Sequence, residues 1–120
     1  MVLKNLLVYE KCLDLIKYGT IALRQFPKYE KFCLAALMRE QQYKILGLVV
    51  EANKKYHKQT TLRDLDIAHE TLRVFVELAH RRLKYIDHKK YLNWMERVDE
   101  LGRIIGGWMR SQGVDGKRQA

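Results

Sequence analysis

Leu101-Gly102-Arg103-Ile104-Ile105-Gly106-Gly107-Trp108-Met109-Arg110 is the stretch on which the reading of this chain turns. At the helical period of about 3.6 residues, Trp94, Val98, Leu101, Ile105 and Trp108 fall three and four apart, so both tryptophans share one inward seam. Gly102 and Gly106 lie four apart on a neighbouring side, followed by Gly107. Each glycine inside a helix costs about 1 kcal/mol relative to alanine, so this group calls for close packing. A Gly-x-x-x-Gly pair lets another helix backbone approach where a larger side chain would block it. That pair is best known in lipid, but Arg103 and Arg110 stand in this segment, so only the steric logic carries over.

Working outward, the chain reads as four helices. Its 120 residues make one domain, large enough to bury a core without metal or disulfide staples. The single proline, Pro27, fits a mostly helical protein. The first helix is expected from Leu3 to Gln25, with Leu6, Tyr9, Cys12, Leu13, Leu15, Ile16 and Leu23 over an arc of roughly 200°. Phe26-Pro27-Lys28 stops it. A second helix follows from Glu30 to His57, its main face Leu34, Leu37, Met38, Ile45, Leu48, Val49, Ala52 and Tyr56. Phe32, Tyr43, Leu46 and Val50 form a second strip nearly opposite.

Thr61-Leu62-Arg63-Asp64 has the form of a capping box, opening a third helix that runs to Ile86. Leu65, Ala68, Leu72, Phe75, Ala79, Leu83 and Ile86 give its core stripe, and Ile67, Val74, Leu78 and Tyr85 a separate one. Asp87 caps the fourth helix, which continues to Ser111 before Gly113 ends it. Residues 1–112 thus form an all-α, up-down-up-down four-helix bundle, and residues 113–120 a basic tail. The surplus apolar stripes imply side-by-side subunits, with Ile67, Val74, Leu78, Tyr85, Leu46 and Val50 at the contact. No apolar run reaches the length of a membrane span and no signal peptide is visible. In a hairpin around Pro27, Cys12 and Cys33 lie about 15 Å apart, beyond the roughly 7 Å a disulfide tolerates. Both read as buried thiols in a reducing cytoplasm.

Twenty-three basic residues against 14 acidic ones leave a net charge of +9, which points to a polyanionic partner. One end of the bundle collects Arg24, Lys28, Lys31, Arg81, Arg82, Lys84, Lys89 and Lys90; the other collects Lys54, Lys55, Lys58, Arg63, Arg110 and the tail. Arg73 joins the phosphate-binding candidates from the third helix. Tyr29, Tyr85 and Tyr91 near the first cluster have the chemistry to stack on unpaired bases, and also that of core-edge tyrosines. Cations at the end of the second helix also complement its dipole, a structural use for Lys54, Lys55 and Lys58.

Catalytic signals are sparse. His57, His69, His80 and His88 are read as offering neither a Glu-x-x-His nor a His-x-x-x-His pair and as structural, so no metal is expected. No phosphate loop and no nucleophile motif is present, and no cofactor or small-molecule substrate is implied. Arg73-Val74-Phe75-Val76-Glu77-Leu78-Ala79-His80 is similar to the Arg-x(4–6)-His motif of HEPN-type ribonucleases, in which histidine serves as acid/base and arginine stabilises charge. Arg63 and His69 fit the same spacing.

With the helices laid out, the chain resembles the accessory variability determinant (Avd) proteins of diversity-generating retroelements. The resemblance covers nearly the whole chain. It is most specific at Leu101-Gly102-Arg103-Ile104-Ile105-Gly106-Gly107-Trp108, similar to the Avd pattern Leu/Val-Gly-Arg-Ile-Leu-Gly-x-Trp. Leu72-Arg73 and the aromatic and aliphatic residues after it fit the family's third helix. The wider set includes four-helix-bundle proteins encoded by intervening sequences in bacterial 23S rRNA genes, of unknown role. Those typically carry an Asn-Ile-Ala-Glu-Gly-like run where this chain has Leu48-Val49-Val50-Glu51-Ala52, so the Avd branch is favoured. Glu77 departs from the pattern, on a face that can be basic in the family. The resemblance implies a non-enzymatic accessory subunit: a basic, pentameric barrel that binds RNA or DNA and a reverse transcriptase, and supports error-prone copying of a template RNA.

Overall fold

The computed structural model describes residues 6–114. Four α-helices, α1 (Leu6–Leu23), α2 (Leu34–Lys54), α3 (Gln59–Glu77) and α4 (His88–Ser111), run alternately up and down. Each packs on two neighbours, α1 on α2 and α4, and α3 on α2 and α4, so the core is enclosed on four sides.

The α4 seam is the densest part of that core. Trp94, Val98, Leu101, Ile105 and Trp108 are all buried, as their spacing predicts. Against them lie Cys12 and Leu15 of α1, Met38, Ile45 and Val49 of α2, and Leu65, Leu72 and Val76 of α3. Both ends of α4 are defined by local chemistry. Asp87 Oδ1 accepts the Lys90 amide at 2.8 Å, the N-cap read from sequence. At the other end Gly113 takes φ +70°, the Gly113 amide donates to Arg110 and the Val114 amide to Met109, forming a Schellman close. Val114, placed in the loose tail from sequence, is buried by that turn; the rest of the tail, 115–120, and residues 1–5 lie outside the described part.

The glycines divide. A Cβ on Gly102 would meet the His69 ring at 2.7 Å, and His69 Nε2 donates to the Val98 carbonyl at 2.7 Å. Gly102 therefore makes room for a side chain bridging α3 and α4, not for a helix backbone. At Gly106 and Gly107 a Cβ would meet only the tip of Arg110. This contrast is testable by urea unfolding at fixed protein concentration. Gly102→Ala displaces the His69 ring and is expected to destabilise the chain by about 1–2 kcal/mol, the range of a lost buried hydrogen bond. Gly106→Ala meets no such obstacle and should stabilise it by about 0.5–1 kcal/mol through helix propensity.

Several expectations fail, each for a local reason. Helix α2 starts at Leu34 and not Glu30, because Pro27 opens a separate 3-10 turn, Lys28–Glu30, and Cys33 breaks the register at φ −115°, ψ −110°. Cys33 is exposed at that break, whereas Cys12 is buried and its thiol is pushed up to about 12 by burial. Leu37 and Tyr56, assigned to the α2 core face, are exposed; Tyr56 lies beyond the helix and is 90% exposed. Their places go to Ala35, Gln42 and Asn53. Gln42 is legible only in retrospect: its amide fills the space over Gly19, where a Cβ would meet Oε1 at 1.9 Å.

Thr61 is not a cap. Helix α3 begins two residues earlier, and Thr61 sits buried in its first turn, donating to Glu51 and accepting from Lys55. Nor does α3 reach Ile86 as a regular helix. It widens into a π turn, Leu78–Arg82, which rotates Leu83 off the core while Ile86 stays buried. Among the described residues no helix is long and apolar enough to cross a membrane.

Candidate nucleic-acid interface

The connection from α3 to α4 builds the basic end. After the π turn the Leu83 amide donates to Leu78 and the Tyr85 amide reaches Ala79, which forces Lys84 to φ +55°. A non-glycine residue in that region costs roughly 1–2 kcal/mol, and here it stands at the centre of the charged face. Arg81, Arg82, Lys84 and Lys89 are exposed around it and Lys90 is half-buried. Arg82, Lys84 and Lys89 make no ion pair among the described residues. Arg81 has only a long one, 3.9 Å to Glu77, and Lys90 a similar one to Asp87.

Glu30 joins this turn to the corner between α1 and α2. Its carboxylate accepts the Tyr85 hydroxyl at 2.6 Å and the Leu34 amide at 3.2 Å. Donation to Glu30 holds the Tyr85 hydroxyl protonated far above its ordinary range. The Tyr85 ring lies 5.3 Å from Phe26 and 6.2 Å from Tyr29. Tyr85, expected on the oligomer stripe, is thus a clamp at the bundle's end, and Tyr29 remains the exposed ring. Gln25 fastens the same corner by donating to Asp87 Oδ2 and accepting the Asp87 amide. The amide of Lys90 and then Gln25 hold the Asp87 carboxyl below its ordinary range.

Arg73 is occupied. Its guanidinium lies 3.0 Å from Glu77, 3.6 Å from Asp99 and 3.9 Å from Glu70. The departure noted at Glu77 therefore holds Arg73 against the protein, while Arg81, 3.9 Å from the same carboxylate, stays exposed. His80 stacks on Tyr91 at 4.1 Å and lies 5.3 Å from His88. Burial and the cations around it hold His80 below the ordinary histidine range. No hydrogen bond, ion pair or ring contact joins Arg73 to His80. Glu77 and His80 do have Glu-x-x-His spacing, which corrects the expectation that no such pair is present; among the described residues no three His, Cys, Asp or Glu side chains come together to hold a metal.

The opposite end is less basic than its sequence suggests. Lys58 is buried, its ammonium donating to the carbonyls of Ala52 (2.7 Å) and Lys55 at the C-terminus of α2. That is the dipole role, and it corrects the placement of Lys58 on the surface. Lys55 lies 3.0 Å from Glu51. Lys54, Arg63 and Arg110 stay exposed. The apolar stripe on α3 is open: Ile67 is 65% exposed, Val74 52% and Leu78 36%. On α2, Tyr43 is exposed, Val50 half-buried, and Leu46 packs against the core.

Residues 6–112, from the start of α1 to the cap of α4, match the profile of a family described as bAvd-like. The chain belongs to that family. No curated protein and no solved structure matches it. The matched bAvd-like region spans all four helices, and so both basic ends and the α3 stripe, and stops before Gly113.

Proposed function

We propose that this bAvd-like protein is a non-catalytic accessory subunit of a diversity-generating retroelement. It holds RNA or DNA by the phosphate backbone, docks the reverse transcriptase of the same element, and supports error-prone cDNA synthesis in the cytoplasm. It works as a ring-like homo-oligomer, a pentamer, with Ile67, Val74 and Leu78 at the contact between subunits. The observation that carries the reading is the α3–α4 turn, where Arg82, Lys84 and Lys89 stand exposed without a carboxylate partner among the described residues. The family match supports the retroelement setting.

A single incubation tests holding against cutting. Structured RNA mixed with the purified protein, with and without divalent metal, is expected to shift in a native gel and run at full length in a denaturing one. His80→Ala should change neither result. Cleavage that disappears in His80→Ala would make the chain a ribonuclease of the HEPN kind and overturn the proposal.

A further inference from the structure

The corner between α1 and α2 holds a cleft that phosphate-backbone binding does not account for. It encloses about 310 Å³, at the lower end of the roughly 300–1,000 Å³ typical of small-ligand sites. The floor is apolar: Leu23 and Phe26 are buried, with Pro27 half-buried beside them. The rim carries Arg24, Lys28, Lys31 and Arg39, and no carboxylate lines the cleft. None of these four cations has an ion pair among the described residues.

The local acid is turned away. Glu30 is taken by the Tyr85 hydroxyl and the Leu34 amide. Arg39 is fixed at the rim, its Nη2 donating to the Lys31 carbonyl at 3.0 Å, which leaves the rest of its planar fork of donors free to face an anion. Lys31 Nζ lies 5.5 Å from the Phe32 ring centre. Four like charges around so small a space repel one another, and one compact anion of high charge relieves them best. A backbone phosphodiester brings a single charge. A phosphomonoester brings about −1.5 to −2 at neutral pH and three acceptor oxygens. The apolar floor adds a place for a flat ring, which a bare phosphate would not use.

We propose that this cleft binds a nucleoside phosphomonoester, either a free nucleotide or the phosphorylated end of a strand. The phosphate sits among Arg24, Lys28, Lys31 and Arg39, and the sugar and base lie against Leu23, Phe26 and Pro27. The cleft adjoins the α3–α4 turn through the Phe26–Tyr85 contact, but no residue of that turn lines it, and the preference for a terminal phosphate over a hydroxyl is read apart from backbone binding.

The test uses the full chain at constant ionic strength and fluorescence anisotropy of labelled trinucleotides. The 5′-phosphorylated trinucleotide is expected to bind about tenfold tighter than its 5′-hydroxyl twin, the scale of one added charge-assisted hydrogen bond. Arg24→Gln with Arg39→Gln should bring that ratio to one, while Lys44→Gln, exposed midway along α2 and outside both basic ends, leaves it unchanged. If Arg39→Gln loosens the corner, visible as an earlier melt, Lys28→Gln on an exposed side chain should lower the ratio by itself. AMP that competes assigns the cleft to free nucleotides as well; a phosphorylated strand that binds while AMP does not assigns it to strand ends. Either result supports the proposal. Equal binding of the two trinucleotides overturns it. So does competition by inorganic phosphate or a polyglutamate peptide as effective as that by AMP, since the cleft would then be a general anion surface or a seat for an acidic protein segment.

Discussion

Arg81→Glu combined with Lys84→Glu is expected to weaken binding of single-stranded RNA on the order of 100-fold at low salt, alike for unrelated sequences. Each cation that neutralises a phosphate releases counterions, so log K falls against log salt with a slope of about −0.7 per contact on single strands and −0.9 on duplex. Removing two contacts per subunit should flatten that slope by at least about 1.4. Both side chains are exposed, so the variant should melt where the parent does. The two are not equivalent. Arg81 is already biased by Glu77 at 3.9 Å, whereas Lys84 has no carboxylate partner among the described residues, so Lys84→Glu alone should cause the larger part of the loss. Reversal of Lys54 and Arg63, about 30 Å away along the bundle at 1.5 Å per residue, is roughly three screening lengths removed at about 0.1 M salt and should matter much less there. Binding that is flat in salt, or that survives reversal at both ends, would assign the basic surface to an acidic protein partner, the reverse transcriptase first.

How much of this was open to the sequence depends on whether a residue's role is periodic or relational. The α4 seam is periodic, and all five of its apolar residues are buried as spacing requires. The caps at Asp87 and Gly113 are local chemistry within a few residues, and they too were legible. Lys58 was not. Its ammonium is buried because the α2 carbonyls fold back over it, and nothing in a run of lysines says which one turns inward. Tyr85 failed for a similar reason, since its partner Glu30 lies 55 residues away. The π turn displaced the end of the α3 stripe by inserting an irregularity that no hydrophobic period encodes. In the candidate interface, exposure of Arg81, Arg82, Lys84 and Lys89 followed from charge and position. The pairing of Arg73 with Glu77 is an i,i+4 contact within one helix, whereas its further contact with Asp99 comes from α4 and no local pattern encodes it. The α1–α2 cleft needed Arg39, which reaches its rim from α2 across the corner and which no local pattern marks.

Val74→Asp with Leu78→Asp is expected to turn a large assembly into a species near the 14.3 kDa of one chain, read by sedimentation at micromolar concentration. Ile67, Val74 and Leu78 form a stripe on α3 that stays wet in a single subunit, and apolar surface of this kind is stabilised by burial against another chain at about 25 cal/mol per Å². Two buried carboxylates without partners would cancel that gain and more, while in the separate subunit both sit in water and leave the bundle intact. The geometry of closure can be read from a second variant. In a ring each subunit offers two different faces, so the α3 stripe must meet some other surface; in a two-fold dimer it meets itself. Tyr43→Asp with Val50→Asp disables the strip on α2. If that strip is the second face, each double variant alone is a monomer, and a mixture of the two makes one sound contact and stops at a heterodimer. Failure of the mixture to pair would move the second face elsewhere, with Leu6 and Leu7 on α1 the next exposed apolar pair. A parent chain that sediments as a monomer removes the ring altogether, because the α3 stripe would then be shown to tolerate water.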